Sequence, residues 1–300
     1  KEGLLIMGTR RKEQTYFFMI LPGLIGFLIM YITPTAMSFL YSLTNYSVYK
    51  ADISFVGLAN FKKVFTNIET VSALKNTVIF AILITVFQNA FSIIFAVLLN
   101  KKSKIVDAVK SLVFLPAVLS VMVVGYLFQY IMTTADGGLL NTIIEFFGGN
   151  PVNWLGNKKI ALYSVLATQI WQWTGYTMVI CIANLKSIDS TLYEAANIDG
   201  ANTLQQFFHV TLPLLYPSVS FNVLMSLIGG MKTYDAILSM TKGGPGYATE
   251  TIMTTLLREG IKNGKTAFGC AFAVVFFIVV FVLTRIVTYA FNKWEEAVQA

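Results

Sequence analysis

Six stretches of this chain carry no formal charge: residues 14–49, 76–100, 111–135, 160–185, 200–231 and 266–284. A helix rises 1.5 Å per residue, so about 20 mostly apolar residues cross the hydrocarbon core of a bilayer. Each stretch can hold one crossing, and 14–49 is too short for two with a turn between them. The spacing predicts six membrane helices, near residues 16–40, 76–100, 111–133, 161–184, 213–237 and 266–288.

Composition narrows the class. Of 300 residues, 56% are hydrophobic and 12% charged, against about 25% charge in a soluble domain. So few charges cannot make a water-facing shell around that much apolar surface. A β-barrel strand alternates apolar and polar residues, whereas Val274–Leu283 is apolar throughout. The expected fold is an all-α integral membrane protein. The formal charge of +7 comes from Lys and Arg in short loops beside membrane segments, which suits anionic lipid headgroups rather than nucleic acid. Cys181 and Cys270 each lie in an apolar stretch and read as small buried hydrophobes, not a disulfide. The start, KEGLLIMGTRRKEQ, has too short an apolar run for a cleavable signal. The first helix therefore serves as the insertion signal.

Six crossings place both termini on one side. With the termini cytoplasmic, Arg10, Arg11, Lys12, Lys101, Lys102, Lys104, Lys110 and Lys293 all fall there, close to helix ends, as the positive-inside rule prefers. Residues 43–75, 134–159 and 238–265 are then external. Gly137, Gly138 and the Gly243-Gly244-Pro245-Gly246 run mark turns in two of them.

The loop between helices four and five, residues 186–213, reads KSIDSTLYEAANIDGANTLQQFFHVTLP. Ser190 or Thr191 can cap a helix, and Thr191 with Glu194 fits a capping box. A short helix over Leu192–Ile198 ends at Asp199-Gly200, and a second amphipathic piece, Leu204–Val210, leads to Pro213. Leu192, Ala195, Ala196 and Ile198 form a small-residue face. Asp189, Glu194 and Asp199 stand against one Lys186. A helix resting on lipid would carry bulky apolar residues and a basic polar face. This one suits a groove in a partner protein instead.

The run Glu194-Ala195-Ala196, Asp199-Gly200-Ala201 and Val210-Thr211-Leu212-Pro213 resembles the EAA loop of membrane subunits of bacterial ATP-binding-cassette importers. Phe55-Val56-Gly57-Leu58 with Asn60-Phe61, Asn76-Thr77, Phe114-Leu115-Pro116, Trp171, Tyr193, and Thr241 before Gly243-Gly244-Pro245-Gly246 extend the resemblance to MalF-like permeases over nearly the whole chain. It implies a type I importer permease architecture, with a six-helix domain over 16–290, the coupling loop at 186–213, and cytoplasmic ends at 1–15 and 291–300. It implies a bacterial cytoplasmic membrane and a nonidentical second permease subunit. It also implies two ATP-binding subunits that hold the ATP and Mg, and an external solute-binding lipoprotein or periplasmic protein. Glu194, Ala195, Ala196, Asp199 and Gly200 would meet the ATPase. Where this family often has proline, the chain has Asp189, which can cap the helix itself.

Polar side chains in hydrocarbon must be paired or face a cavity. Gln88, Asn89, Tyr126, Gln129, Tyr130, Gln169, Gln172, Tyr176, Asn222, Ser226 and Thr233 are such residues, and Gly229-Gly230 opens space beside the last. Trp171, Trp173 and Tyr176 add rings on which the C–H face of a sugar can stack. The family resemblance places Trp173, Tyr176, Asn222, Ser226, Gly229, Gly230 and Thr233 on the substrate pathway. The two glycines stand where maltose-type subunits carry larger side chains, which implies a differently shaped cavity. Lys232 and Asp235, three apart, read as a mutual pair on one helix face; the alternative is a contact from Lys232 to an acidic sugar. No phosphate-binding GxxxxGK[ST] loop occurs, and His209 is the single histidine, so no catalytic or histidine-based metal site is expected. The implied function is carbohydrate import, of a di- or oligosaccharide first, then of a monosaccharide, glycerol phosphate or acidic sugar. From the residues alone, a membrane scaffold without substrate and a secondary transporter also stand.

Overall fold

The structure, a computed structural model, describes residues 16–49, 52–135 and 138–299. Arg10, Arg11, Lys12, the rest of 1–15, and Gly137 lie outside the described residues. The chain divides into two compact units, Lys1–Val64 with Glu259–Val275, and Phe65–Arg258 with Phe276–Ala300.

The described residues are almost wholly helical: α1 (Tyr16–Ser42), α2 (Ala59–Thr66), α3 (Ile68–Leu98), α4 (Lys104–Phe114), α5 (Val121–Ile131), α6 (Leu139–Phe146), α7 (Ala161–Leu185), α8 (Ser190–Ile198), α9 (Thr203–Leu214), α10 (Tyr216–Met231), α11 (Asp235–Met240), α12 (Ile252–Leu256) and α13 (Thr266–Gln299). By length and composition α1, α3 and α13 can each cross a membrane, and counting the bent pairs α4–α5 and α9–α10 as single spans gives five. Helix α7 is long enough but too polar to be counted with them. The fold is an all-α, multi-pass membrane type.

In the first unit, Asn60 explains the Phe55-to-Phe61 motif. Its buried amide donates to Ser42 O at 2.9 Å and Thr44 O at 2.7 Å. Thr44 and Phe55 form an isolated bridge, and Gly57, with φ of 57°, turns the chain from there into α2. Ala267 N donates to Tyr46 O and Ser47 Oγ to Gly264 O, which fastens this turn to the start of α13. Helix α1 is apolar on every face, and its membrane-length window has no buried residue.

The second unit is built around α7, flanked by α3 and α10. One core cluster joins Phe80 and Ile84 of α3 to Val165 and Leu166 of α7 and Ile237 and Met240 of α11. A second joins Ala96 of α3 to Met178, Ile182 and Leu185 of α7, to Leu215 between α9 and α10, and to Val219 of α10. Helix α7 thus runs parallel to α3 and antiparallel to α10. It tolerates its polar residues because protein surrounds it. Thr168 and Thr174 bond back to carbonyls of the preceding turn, and Ser92 of α3 bonds Thr177. Gly175 lets α7 touch the end of α4. A Cβ there would sit 2.1 Å from Val113 O.

Two predicted helices are not continuous. In place of one helix over 111–133, α4 and α5 meet at 101°. Leu115–Val118 is a 3-10 turn containing Pro116, and Leu119 and Ser120 are extended. Proline lacks an N–H and crowds the preceding turn. The break lasts because Gln172 Nε2 of α7 donates to the freed Leu119 O at 3.0 Å. In place of 213–237, a bend of 68° precedes α10 near Pro213 and Pro217, and α10 ends at Met231. Thr233 O is instead taken by Thr251 Oγ1 at 3.0 Å. Helix α3 begins well before residue 76 because Asn67 caps it, its side chain accepting from Glu69 N at 2.8 Å.

Replacing Gly175 by valine forces α7 off the Val113 carbonyl, a destabilisation of roughly 1–3 kcal/mol for an overpacked contact, and is expected to lower the melting temperature in detergent. Gly26→Ala on α1, where an added Cβ meets nothing within 4 Å, should not lower it.

Candidate functional site

Two features stand out in the second unit, an exposed loop at one end of α7 and a cavity above it. The loop is built from its caps. Asp189 is the N-cap of α8, its carboxylate accepting from Thr191 N at 3.0 Å. The expected Thr191–Glu194 capping box does not form, because Asp189 already takes that amide. The hydrogen bond to Thr191 N holds the Asp189 carboxyl below its ordinary value of 3.8. At the other end Gly200 has φ of 78°. Ala201 N donates to Ala196 O and Gly200 N to Asn197 O, the paired bonds of a Schellman stop.

A capping box does occur on the next element. Asn202 and Gln205 exchange bonds of 2.9 and 2.8 Å at the start of α9, a helix longer than the expected Leu204–Val210. Tyr193 OH meets Thr211 Oγ1 at 3.1 Å, and Gln206 Nε2 donates to Asn197 Oδ1 at 2.7 Å, which locks α8 onto α9. Glu194, Ala195, Asp199 and Gly200 are exposed and Ala196 is half-buried. Apolar side chains project beside them, with Ile198 87% and Leu204 68% exposed.

The cavity has a volume of about 290 Å³ between α3, α7, α10 and α11. Of the residues singled out, Trp173, Tyr176, Ser226, Gly229, Gly230, Thr233, Gln88 and Gln169 line it. Trp173 and Tyr176 meet edge to face at 6.2 Å. Trp173 Nε1 donates to Gln169 Oε1 at 3.2 Å, and Asn89 Nδ2 donates to Ser226 Oγ at 2.9 Å. The two glycines differ. A Cβ on Gly230 would strike Ala81 Cα at 2.8 Å, whereas one on Gly229 meets nothing within 4 Å.

Asn222 does not line the cavity. It is buried below it, donating to Thr177 O at 3.0 Å. Trp171 faces the other way, packing on Phe128 at 5.1 Å and lining an apolar groove of about 800 Å³. Tyr126, Gln129 and Tyr130 sit on the exposed face of α5. Gln172 donates to Leu119 O and accepts from Gln169 Nε2 at 3.1 Å. Lys232 and Asp235 form no ion pair with each other, because α10 stops at Met231 and α11 starts at Asp235. Both line the cavity, together with Tyr234.

At the far end of α3, sequence reasoning missed a charge network. Arg258 bridges the carboxylates of Glu69, at 3.0 Å, and buried Glu250. Thr254 and Thr255 donate to Glu250 Oε2, and Asn76 Nδ2 donates to Tyr247 O and Glu250 O. Tyr247 OH donates to Glu69, which pushes the phenol above its ordinary value of 10.0. The Asn76-Thr77 and Gly243–Gly246 motifs meet here, with Thr77 Oγ1 accepting from Ile252 N at 2.9 Å. Both cysteines are free.

Residues 88–296 match the family described as the binding-protein-dependent transport system inner membrane component. The chain belongs to this family. The permease is 33% identical over 260 residues to the arabinooligosaccharides transport system permease protein AraP of Halalkalibacterium halodurans, a match covering 86% of this chain and 81% of that one. It is 31% identical over 242 residues to the trehalose/maltose transport system permease protein MalF of Thermococcus litoralis, covering 81% and 82%. Its fold is that of a chain in the crystal structure of a bacterial ABC transporter involved in alginate import, with a TM-score of 0.82, 22% identity, and coverage of 96% and 98%. Among the described residues no group of three His, Cys, Asp or Glu is placed to hold a metal ion.

Asp189→Ala should loosen the start of α8, read as a severalfold loss of amide-exchange protection over residues 190–195. Because the folded carboxyl titrates below its ordinary value, its contribution is present above about pH 4 and is lost as the pH falls through the depressed value.

Proposed function

We propose that this permease forms half of the path by which a carbohydrate, handed over by an external solute-binding protein, crosses the bacterial cytoplasmic membrane. The observation that carries this reading is the cavity. It combines the rings of Trp173 and Tyr176 with neutral amides and hydroxyls at Gln88, Gln169, Ser226 and Thr233. Sugar C–H faces stack on such rings, and sugar hydroxyls need such partners. The names of AraP and MalF, both oligo- or disaccharide permeases, support the same class. Lys232 on the cavity wall favours an acidic sugar as the second reading.

Counting α1, α3, α4–α5, α7, α9–α10 and α13 gives six crossings, with both termini and the basic loop at Lys101–Lys110 in the cytoplasm. On this topology residues 16–290 are the permease domain, and 1–15 and 291–300 are its cytoplasmic ends. Helix α8 is then the coupling helix. Glu194, Ala195, Ala196, Asp199 and Gly200 seat in one of two ATP-binding subunits, and a related, nonidentical permease supplies the other half of the path. ATP with Mg binds the partner subunits. Closure of the ATPase pair pulls the coupling helices together, and the bundle rocks between outward-open and inward-open states. The acidic face of this helix, with Asp189, Glu194 and Asp199 against one Lys186, supports a protein partner over lipid.

A ligand screen on the cognate binding protein, followed by uptake into proteoliposomes loaded with ATP, tests the reading; a transporter that moves no carbohydrate under these conditions overturns it. Gly200→Asp places a side chain at a left-handed backbone position, which costs about 1–2 kcal/mol, and Glu194→Lys reverses a charge at the proposed interface. Either should reduce ATP-driven uptake to background while the chain still inserts, and equal uptake would sink the docking assignment. Tyr176→Ala should weaken uptake without preventing assembly, and unchanged uptake would displace the substrate from this cavity.

A further inference from the structure

The apolar groove of about 800 Å³ lies on the side of α7 away from the cavity, and the proposed path leaves it unused. Its wall includes Phe87, Phe91 and Phe95 of α3, Leu112 of α4, Pro116 of the 3-10 turn and Ile170 of α7. Its one hydroxyl, Thr174 Oγ1, donates to Ile170 O at 2.6 Å within α7, which leaves apolar and aromatic side chains to meet an occupant. The three phenylalanines recur every fourth residue, so they form one stripe spanning about 12 Å of α3. The helix ends at Leu98, about 5 Å beyond Phe95. Stripe and helix end together reach about 17 Å, close to one leaflet of a hydrocarbon core of about 30 Å. Just past that end stand Lys101, Lys102 and Lys104, all exposed and none in an ion pair among the described residues. The nearby Asp107 is held by Lys110 at 2.9 Å. Exposed Ile105, Val109 and Leu112 run from Lys104 along one face of α4, and Leu112 carries that apolar track into the groove.

We propose that the groove holds an acyl chain of an anionic phospholipid from the cytoplasmic leaflet, with the phosphate held by Lys101, Lys102 and Lys104. A basic cluster at the cytoplasmic mouth of a crevice between membrane helices attracts anionic headgroups, and the apolar wall takes the chain. A partner helix fits less well. Membrane helices approach each other over small residues, whereas α3 presents three phenylalanines here, and only Ala167 and Thr174 in the wall are small. A flexible chain threads between fixed rings, as a helix about 10–12 Å across does not. The cytoplasmic side of the site rests on the permease reading above, to which the site adds a lipid ligand.

The test uses the whole transporter in phosphatidylcholine nanodiscs. A phosphatidylglycerol with a diazirine near the end of one acyl chain is added, or a phosphatidylcholine with the same chain, and crosslinked peptides are located by mass spectrometry. The site predicts crosslinks to residues 87–95 and 112–119, severalfold stronger with phosphatidylglycerol. Lys101→Gln, Lys102→Gln and Lys104→Gln together should bring the phosphatidylglycerol signal down to that of phosphatidylcholine. Ala167 is exposed and lines the groove, so Ala167→Phe should lower both signals by filling it. Equal crosslinking of the two lipids to the unaltered chain would overturn the proposal, as would a groove that neither lipid reaches because the second permease covers it. A triple variant that crosslinks like the unaltered chain would overturn it too. The comparison of the two lipids on the unaltered chain decides even where a variant fails to assemble. Crosslinking reads lipid contact and not transport, so a transporter that crosslinks as expected yet moves no solute with ATP overturns the permease reading instead.

Discussion

Hydrocarbon supplies no hydrogen bonds, so polar groups at membrane depth are stable where they find partners within protein or line a cavity. That constraint explains why the most polar long helix, α7, is also the central one. Its glutamines and threonines would be costly against lipid, and in the middle of the bundle they become connectors. Gln172 takes the Leu119 carbonyl that Pro116 helps release, Ser92 reaches Thr177, and Asn222 reaches the Thr177 carbonyl. The bend between α4 and α5 is stable only because α7 is close, and α7 is close because Gly175 has no side chain to hold α4 away. A backbone break, a glycine contact and an amide hydrogen bond thus depend on one another.

At α8 the preferences reverse. The loop carrying α8 leaves apolar side chains in the open, yet its own backbone is closely satisfied by the Asp189 cap, the Gly200 stop and the Asn202–Gln205 box. Its two stalks meet again at Asn184, whose amide nitrogen donates to Leu214 O and Ser218 Oγ.

Much of this was legible in the sequence. Helices α1, α3 and α13 showed because a long charge-free run has few alternatives, and α8 showed because its caps and small residues are local. The ends of α3 and α13 were misjudged because a helix continues through charges such as Glu69 and Lys293 once it leaves the apolar layer. Pro116 and Pro213 were visible, but whether a proline kinks or breaks a helix depends on a neighbour such as Gln172, which no local pattern names. The same limit hid Glu69, Glu250 and Arg258, whose meeting joins distant parts of the chain. Lys232 and Asp235 have a pairing interval only on a continuous helix, and Thr251 removes that continuity by capturing Thr233 O. Asn222 shares a face with Ser226, but periodicity does not say where along that face a cavity ends.

The adjacent glycines on the cavity wall stand in opposite situations. Gly230 is pinned against the α3 backbone, so its identity is tied to the architecture. Gly229 faces open space, so its identity is not. On the proposed substrate path, selection for a new cargo can therefore work at Gly229 without first rebuilding the bundle, and divergence in what such a permease carries can outpace divergence in how it folds.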